Sequence, residues 1–598
     1  MINFKINGIP VQVEEGTTIL EAAKKANVKI PTLCYNPDLP AWASCGICIV
    51  RVAGSPKMIR ACSTPVDSSL EGKDVITHDG EIIATRRIVL ELILSNHPND
   101  CLQCPRNGNC ELQTVAAEFG IRESPYKKVL NDLPIDDSNP AIVLNPEKCI
   151  RCGRCVKVCQ EVQNVWALEF LGRGIKGKIA SAADAPLGES PCIKCGQCAA
   201  HCPVGAIYEH DDTALVWNAL HNPDLHTVVQ IAPAVRVALA EEFGLEPGLI
   251  ITKKIYAALR RLGFKTVFDT NFSADLTIME EGTELVKRLT EKGSAIPLIT
   301  SCCPAWVDYM EKYYADMIPN FSTAKSPQQM MGAMIKAYWA NKAGVNPEKV
   351  YSVSVMPCTA KKWETRRNDD MKSAGKLLGL DTGYDVDISI TTRELARMIK
   401  QAGIDILGLA DEDSDSPLGP YTGAGTIFGV TGGVMEAAVR SAYFLVNGKD
   451  LPDVNLKPAR GLEGVKEAEI DFGKPIGDGS STKIRIAIAH QMGNIAAVLD
   501  KIRAARLAGE EPPYHFIEVM ACRGGCIAGG GQPYGATDEV RRKRIRGIYL
   551  DDEKSQYRCS HQNPFINEVY KDFLGEPTGH KAHELLHTKY VERALYVK

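Results

Sequence analysis

Of the 21 cysteines in this 598-residue chain, all but Cys559 fall into spaced sets. Cys34, Cys45, Cys48 and Cys62 form the first. Cys101, Cys104 and Cys110 form the second, with His97 just upstream. The spacing C-x2-C-x2-C-x3-C then occurs twice, at Cys149, Cys152, Cys155 and Cys159 and at Cys192, Cys195, Cys198 and Cys202, with Pro203 completing the second copy. The last set is dispersed: Cys302, Cys303, Cys358, Cys522 and Cys526. These intervals do not read as disulfides. They read as ligand sets for iron–sulfur clusters. Several clusters in one chain make a route for electrons between the surface and a buried site.

The first set is a C-x2-C pair with one cysteine before and one after, as in a 2Fe–2S loop. Ten residues separate Cys34 from Cys45, against about four in plant-type ferredoxins. The longer gap is similar to the related modules of complex I and hydrogenases. Tetrahedral zinc is the competing reading, and the surrounding β-grasp pattern argues against it. The second set needs a fourth ligand. His97 is the candidate, the alternative being a structural histidine with a distant cysteine in its place. A neutral imidazole leaves a cluster less negative than four thiolates do, which shifts its potential. In two-cluster ferredoxins the fourth cysteine of each copy ligates the other cluster. That rule assigns Cys149, Cys152, Cys155 and Cys202 to one 4Fe–4S centre, and Cys192, Cys195, Cys198 and Cys159 to the other.

These ligands need elements to hold them. Ile2, Phe4 and Ile6 alternate up to Asn7-Gly8, and Ile9, Val11 and Val13 alternate back, predicting a hairpin. Thr18-Ile19-Leu20-Glu21 is a capping box opening a helix toward Ala26. The fold class expected is multidomain α/β. Residues 1–79 form a β-grasp 2Fe–2S ferredoxin module, residues 80–120 a helical His/Cys 4Fe–4S module, and residues 138–215 a two-cluster ferredoxin module. From about residue 225 apolar strands alternate with helices: Thr227–Ile231, Ala295–Thr300, Val350–Met356, Val386–Ile390, Ile484–Ala489 and Phe516–Met520. Thr391-Thr392-Arg393-Glu394 is a second capping box. This is α/β texture with largely parallel strands, expected as one large domain over residues 225–540. A polar, helical segment, 541–598, ends the chain.

Composition bounds the function. Apolar content of 45% and charged content of 24% are ordinary for globular proteins. A net charge of −4 argues for neither nucleic acid nor an anionic membrane surface. Met1-Ile2-Asn3-Phe4-Lys5 lacks the pattern of a secretory signal, and no apolar run is long enough to span a membrane. Free thiolates as ligands need a reducing compartment, hence the cytoplasm is expected.

Cys302-Cys303, Cys358 and Cys522 each lie just after a predicted strand. In open α/β sheets ligands collect beyond the carboxyl ends of strands, so four or five thiols can converge despite their separation. From the residues alone, this is a buried cluster in a partly apolar pocket.

Three stretches carry more. Thr300-Ser301-Cys302-Cys303-Pro304-Ala305-Trp306 resembles the first signature of the iron-only (FeFe) hydrogenases. Met356-Pro357-Cys358-Thr359-Ala360-Lys361-Lys362-Trp363-Glu364 resembles the second. Glu518-Val519-Met520-Ala521-Cys522-Arg523-Gly524-Gly525-Cys526, continuing to Gly529-Gly530-Gly531-Gln532-Pro533, resembles the third. The front modules are those of the large clostridial-type members, so the resemblance covers essentially the whole chain.

That resemblance implies an H-cluster. Cys303, Cys358, Cys522 and Cys526 would hold a 4Fe–4S subcluster. Cys526 would also bridge to a binuclear iron centre carrying carbon monoxide, cyanide and a dithiolate amine. Cys302 would pass protons to and from that amine. Lys361 would hydrogen-bond a cyanide. Met520, Met356, Pro357 and Phe428 would line the pocket, with Ser326, Gln328, Ala232 and Pro233 nearby. Gly529, Gly530 and Gly531 would allow close backbone approach. Protons would travel through Glu281, Ser322 and Glu284 to Arg288, although Glu284 and Arg288 at i, i+4 also suit an ordinary helix salt bridge. The accessory centres expected are one 2Fe–2S and three 4Fe–4S clusters. The proton/dihydrogen couple at pH 7 lies at about −0.41 V, seven times ~59 mV below zero. Plant-type ferredoxin clusters lie near ~−0.4 V, so relay and reaction match.

Two motifs point elsewhere. His583-Glu584-Leu585-Leu586-His587 spells the zinc-protease H-E-x-x-H. Ala582–Tyr590, however, resembles the small-subunit segment of hydrogenases, here fused at the C-terminus. Gly423-Ala424-Gly425-Thr426-Ile427-Phe428-Gly429 has the wrong spacing for a dinucleotide fingerprint, and no Walker loop occurs. Without a flavin or nicotinamide site in the chain, electrons would go to ferredoxin or to flavin-containing NAD(P)-linked partner subunits. Maturation proteins for the binuclear centre are a further expected partner. Two alternatives remain: an electron-relay subunit like that of complex I, which would lack the three signatures, and a non-catalytic or sensory relative, which would lack the equivalents of Cys302 or Lys361.

Overall fold

The computed structural model describes residues 1–476 and 481–597; residues 477–480 and 598 of the expected domains lie outside them. Two compact units result. The first comprises Met1–Val162, Trp166–Ser190 and His201–Tyr208. The second comprises Gln163–Val165, Pro191–Ala200 and Glu209–Lys598. Cys149, Cys152, Cys155, Cys159 and Cys202 therefore belong to the first unit, whereas Cys192, Cys195 and Cys198 share the second with the dispersed set.

The first unit opens with the expected hairpin. Strand Ile2–Ile6 pairs antiparallel with Ile9–Val13, in register from Ile2↔Val13 to Ile6↔Ile9. Asn7 and Gly8 take left-handed φ of 50° and 78°, the geometry a two-residue turn needs to follow strand twist. Ile2, Phe4 and Ile6 are buried. The return strand lies at the sheet edge and buries only Val13, leaving Ile9 exposed. Across the sheet the order is Ile9–Val13, Ile2–Ile6, Asp74–Ile76, Ile49–Val52, Met58–Arg60. The central pair, Ile2–Ile6 with Asp74–Ile76, is parallel, as in a β-grasp. Thr18 caps helix Ile19–Lys25 by accepting the Glu21 N–H at 3.2 Å. The reciprocal arm of the capping box is not made, because the Glu21 carboxylate takes Lys24 Nζ at 3.0 Å and the Tyr35 hydroxyl instead. Helices Gly80–Ser95 and Glu111–Glu118 flank the second cysteine set.

The second unit holds two four-stranded sheets. One runs Thr266–Asp269, His226–Ile231, Val350–Met356, Ile388–Thr391, all parallel. The other runs Leu298–Ile299, Phe516–Met520, Lys483–His490, Val465–Asp471, and only its last pair is antiparallel. The expected strand at Ala295–Thr300 shrinks to Leu298–Ile299 because Pro297 has no N–H for a ladder. Val465–Asp471 is an unexpected edge strand: Glu467, Glu469 and Asp471 are exposed, as charges on an edge are, while Lys466 points inward with Ile470. The Thr391 capping box is complete, with Glu394 accepting back from the Thr391 N–H at 2.7 Å.

The C-terminal helices do not stand apart. Ile566, Val569, Leu585 and Leu586 share one buried cluster with Phe268, Phe272 and Met331. Among the described residues no helix is long and apolar enough to cross a membrane.

Candidate functional site

Parallel strands deliver the dispersed cysteines. Cys302 and Cys303 follow Leu298–Ile299, Cys358 follows Val350–Met356, and Cys522 and Cys526 follow Phe516–Met520. The three strands come from both sheets. Cys303 is the N-cap of helix Pro304–Tyr313, and burial raises its thiol above the ordinary range even though the amides of Ala521, Trp306 and Ala305 favour the thiolate. Burial, then the charge of Cys303, push the Cys358 thiol up to about 12. Cys522 is driven well above the ordinary thiol range by burial and by Cys358, Cys303, Cys195 and Cys526. Cys526 rises for the same reasons, burial first, then Cys303 and Cys358. Four thiols facing one another in a dry site are costly as free groups. Bound metal reverses that cost, since a coordinated thiol is deprotonated outright. The donor set therefore fits an iron–sulfur subcluster.

The glycine stretch explains how the loops close. A Cβ on Gly529 would meet the Pro357 carbonyl at 2.2 Å, and one on Gly530 the Cys195 carbonyl at 2.5 Å. Gly531 N–H donates to Pro357 O at 2.8 Å. Backbone from the other loops approaches Gly529 and Gly530, and the Thr391 side chain lies closest to Gly531.

Cys302 and Cys526 pack against an apolar cluster that includes Met520 and Phe428. Met356 and Ala232 belong instead to the neighbouring cluster around the first sheet. Ala232 N–H donates to Val355 O at 3.0 Å, and Pro233 begins the turn Pro233–Val235. Lys361 Nζ lies 3.1 Å from the Cys302 carbonyl and 2.9 Å from Glu364 Oε2. Burial opposes its charge, but Glu364 holds its pKa above the usual lysine value. Glu364 is the hub of this corner, because Ser326 Oγ at 2.8 Å and Gln328 Nε2 at 2.9 Å donate to the same oxygen. Nothing in the motif separated Glu364 from an ordinary helix carboxylate. Also unanticipated are Gln197, whose Nε2 is 3.1 Å from Cys522 Sγ, and the buried Glu518. Burial raises Glu518 to about 7 even though the Gly432 and Met435 amides bind it at 2.6 and 2.7 Å.

The expected proton carriers line up along helix Thr270–Thr290 and the strand-like segment beside it. Ile299 bridges Phe321 in parallel, and Ser322 N–H donates to Ile299 O at 2.9 Å. Ser322 thus sits beside the strand that leads to Cys302. Its hydroxyl donates to Glu284 Oε2 at 2.8 Å, and Arg288 Nη2 donates to Glu284 Oε1 at 2.6 Å. The i, i+4 salt bridge is therefore real and also joined to Ser322. Glu281 is fully buried, and neither of its oxygens makes a hydrogen bond of good geometry. Burial, then the Glu284 charge, raise it to about 8, against a partial offset from the nearby Ser322 hydroxyl and Ser301 amide. It faces the Cys302 thiol, whose pKa burial and Glu281 carry well above the usual range.

In the first unit, Cys34 lies within hydrogen-bond reach of Cys45 and Cys62, and Cys48 within reach of Cys62. His97 is buried and its Nδ1 meets Asn99, while its Nε2 has no partner. An orphaned imidazole nitrogen beside Cys101 and Cys110, all lining a pocket of about 420 Å³, suits a metal ligand. Cys104 abuts Gly205, whose Cβ would meet its sulfur at 2.4 Å. Burial raises Cys149 and Cys152, and the nearby Cys202 adds to both shifts. Cys155 is buried in the same unit, and Cys159 Sγ accepts the Ala167 N–H at 3.3 Å.

The H-E-x-x-H motif is structural. His587 Nε2 is 3.0 Å from Glu280 and its Nδ1 2.8 Å from Thr323, so both ring nitrogens are engaged. The His583 ring stacks on it, centroids 4.7 Å apart. Cys559 is buried, and burial pushes it up to about 11.

Comparison with known proteins identifies the class. Residues 225–530 match the family of the iron only hydrogenase large subunit, C-terminal domain, and residues 538–593 match the iron hydrogenase small subunit. Residues 1–77 match a 2Fe–2S iron–sulfur cluster binding domain, 86–125 the NADH-ubiquinone oxidoreductase-G iron–sulfur binding region, and 141–203 a 4Fe–4S dicluster domain. The chain is 46% identical to the NADP-reducing hydrogenase subunit HndD of Solidesulfovibrio fructosivorans, over 99% of each. It is 38% identical to Iron hydrogenase 1 of Clostridium pasteurianum, over 98% of this chain and 99% of that one. A variant of the FeFe-hydrogenase HydA1 from Chlamydomonas reinhardtii superposes with a TM-score of 0.56 at 43% identity, covering 64% of this chain and 100% of that one. The protein is an oxidoreductase of hydrogen with iron–sulfur domains in front of its catalytic domain. The chain belongs to the iron-only (FeFe) hydrogenases, which interconvert dihydrogen with protons and electrons. A relay-only subunit would leave residues 225–530 without that match.

Proposed function

We propose that this chain is the cytoplasmic, hydrogen-handling subunit of an NAD(P)-linked hydrogenase complex. The observation that carries the reading is its 46% identity, end to end, with a subunit named for NADP reduction. The chain itself carries no nicotinamide or flavin fingerprint, so flavoprotein partners would complete the route. Ferredoxin is the acceptor if such partners are absent. Maturation proteins would install the binuclear centre.

The reading assigns roles residue by residue. Cys34, Cys45, Cys48 and Cys62 hold a 2Fe–2S cluster within residues 1–79. His97, Cys101, Cys104 and Cys110 hold a 4Fe–4S cluster within residues 80–120. The repeat in residues 138–215 holds two more, with Cys159 and Cys202 exchanged between copies. Cys303, Cys358, Cys522 and Cys526 hold the H-cluster subcluster in the 225–540 domain, with the 541–598 segment wrapped as a small subunit. When bound, the H-cluster supplies the redox chemistry at which dihydrogen is cleaved or made. Cys302 takes or gives the proton. Glu281, mostly protonated at pH 7, hands it to Ser322, Glu284 and Arg288. Each member carries an exchangeable proton, as a relay through a dry interior requires. Lys361, held by Glu364, presents its ammonium to the site, and Ser326 and Gln328 steady that carboxylate.

Anaerobic purification from the native cell tests the acceptor. NAD(P)H-oxidising flavoprotein subunits should copurify, and the complex, unlike the isolated chain, should reduce NAD(P)+ with dihydrogen. A chain that purifies alone and passes electrons only to ferredoxin would overturn the proposal.

A further inference from the structure

The two copies of the four-cysteine repeat share one backbone design. Arg151 and Lys194 both take left-handed φ, 55° and 62°. Each donates its N–H to the sulfur two residues earlier, Cys149 at 3.3 Å and Cys192 at 3.4 Å. Their side chains part company. The Arg151 guanidinium is spent on the carbonyls of Gly177 and Ile175, at 2.7 Å each. Lys194 engages helix Pro304–Tyr313 of its own unit instead. Its ammonium lies 2.7 Å from Asp308 Oδ2, 3.2 Å from the Cys192 carbonyl and 4.9 Å from the centre of the Trp363 ring. Lys312 brings a second ammonium, 3.2 Å from the same Asp308 Oδ2 and 3.0 Å from the same Cys192 carbonyl.

A purely structural ion pair does not ask for this arrangement. One lysine neutralises one carboxylate, and a second buried cation beside it is costly. Both side chains are nearly buried, at 9% and 6% exposure, against 0% for Asp308. The two ammoniums crowd onto one carboxylate oxygen, while Asp308 Oδ1 is left without a partner. Two cations and one anion leave a net positive charge directed at the carbonyl of a cysteine in the second repeat. Thr359, next to Cys358, anchors the same loop by donating to Lys194 O at 2.8 Å.

We propose that Lys194 and Lys312, gathered by Asp308, are tuning residues that raise the reduction potential of the 4Fe–4S centre held by Cys192, Cys195 and Cys198. Reduction adds an electron, and buried positive charge stabilises the more negative state; cluster potentials respond to local charge and hydrogen bonding in this way. Gln197, on the same loop, touches Cys522. The tuned centre is therefore the one whose loop abuts the active site, and the trio favours residence of an electron there. The inference rests on the ligand assignment proposed above.

The test is a redox titration of the anaerobic holoprotein, followed by electron paramagnetic resonance. Cys195→Ala identifies the centre by the signal it removes. Lys312→Met should then lower that signal's midpoint, changing the reduced-to-oxidised ratio at fixed potential about tenfold, or ~59 mV for one electron. Lys312→Arg should hold the midpoint, and Asp308→Asn should move it the opposite way. Opposite signs separate charge from a disturbed fold, which would shift both variants alike. Unchanged midpoints in both Lys312→Met and Asp308→Asn, or shifts of the same sign, would overturn the proposal while leaving the ligand assignment intact. Failure of Cys195→Ala to remove any 4Fe–4S signal would overturn the assignment and the proposal with it.

Discussion

The side-chain amide of Gln197 donates to Cys522 Sγ across 3.1 Å and to the Ala528 carbonyl across another 3.1 Å. One residue of the second cysteine repeat thus touches the sulfur of a candidate active-site ligand. Hydrogen bonds to cluster sulfurs stabilise the reduced state and raise the potential. Gln197→Leu should therefore make the subcluster harder to reduce. The lost bond to a charged acceptor is worth ~1.5–3 kcal/mol. An infrared-monitored titration should find the midpoint more negative, and an unmoved midpoint would remove Gln197 from the list of tuning groups.

Cys302 contributes a thiol that burial and Glu281 keep protonated. Cys302→Ala should leave the cluster bound and cut the proton route. Turnover should fall by about 10²–10⁴-fold, the usual worth of a positioned proton-transfer group, while the iron carbonyl infrared bands persist. Full activity in that variant would end the relay assignment.

Glu281 makes a pH-dependent prediction. Its pKa rises from 4.5 to about 8 in the folded protein. The folded state thus keeps a proton that the unfolded chain has released, so stability falls as pH rises through this window. The fall approaches ~1.4 kcal/mol per pH unit for one group and levels off above the folded value. Glu281→Gln carries no such titration, and should gain stability relative to the parent as pH climbs. Thermal unfolding of both proteins across the window measures this; a constant difference would mean that Glu281 ionises normally.

His587 holds Glu280 at 3.0 Å from within the core, and the Tyr570 hydroxyl binds the same carboxylate. His587→Ala should destabilise the C-terminal helices by about 1–3 kcal/mol, the cost of an underpaired buried group, without loss of metal. Zinc analysis of the parent, together with denaturant unfolding of the variant, checks both halves. Stoichiometric zinc would restore the protease-like reading of the motif.

Much of this was legible in advance because local chemistry is written in spacing. The Asn7-Gly8 hairpin, the Thr391 cap and the strands Val350–Met356 and Phe516–Met520 stand where alternation and turn residues put them. The paired C-x2-C-x2-C-x3-C motifs point to iron–sulfur ligands with no fold at all, since two-cluster ferredoxins space their thiols at those intervals. The short strand Thr266–Asp269 and the charged edge Val465–Asp471 carry no such pattern. Too few residues alternate in the first, and in the second Lys466 takes a buried position where alternation asks for an apolar residue.

The amino-acid order alone determined which chemistry this protein carries: sulfur ligands, a lysine and a string of proton-bearing side chains. It could not decide which of them meet. Cys303, Cys358 and Cys522 lie close enough to act on one another's charge although they follow strands of two different sheets, and sheet pairing is a long-range choice that no local pattern encodes. The same holds for Glu364 as the anchor of Lys361 and for Asp308 beneath two lysines. A buried charge is compensated by whatever partner the fold brings within ~3 Å, and only tertiary structure sets that distance.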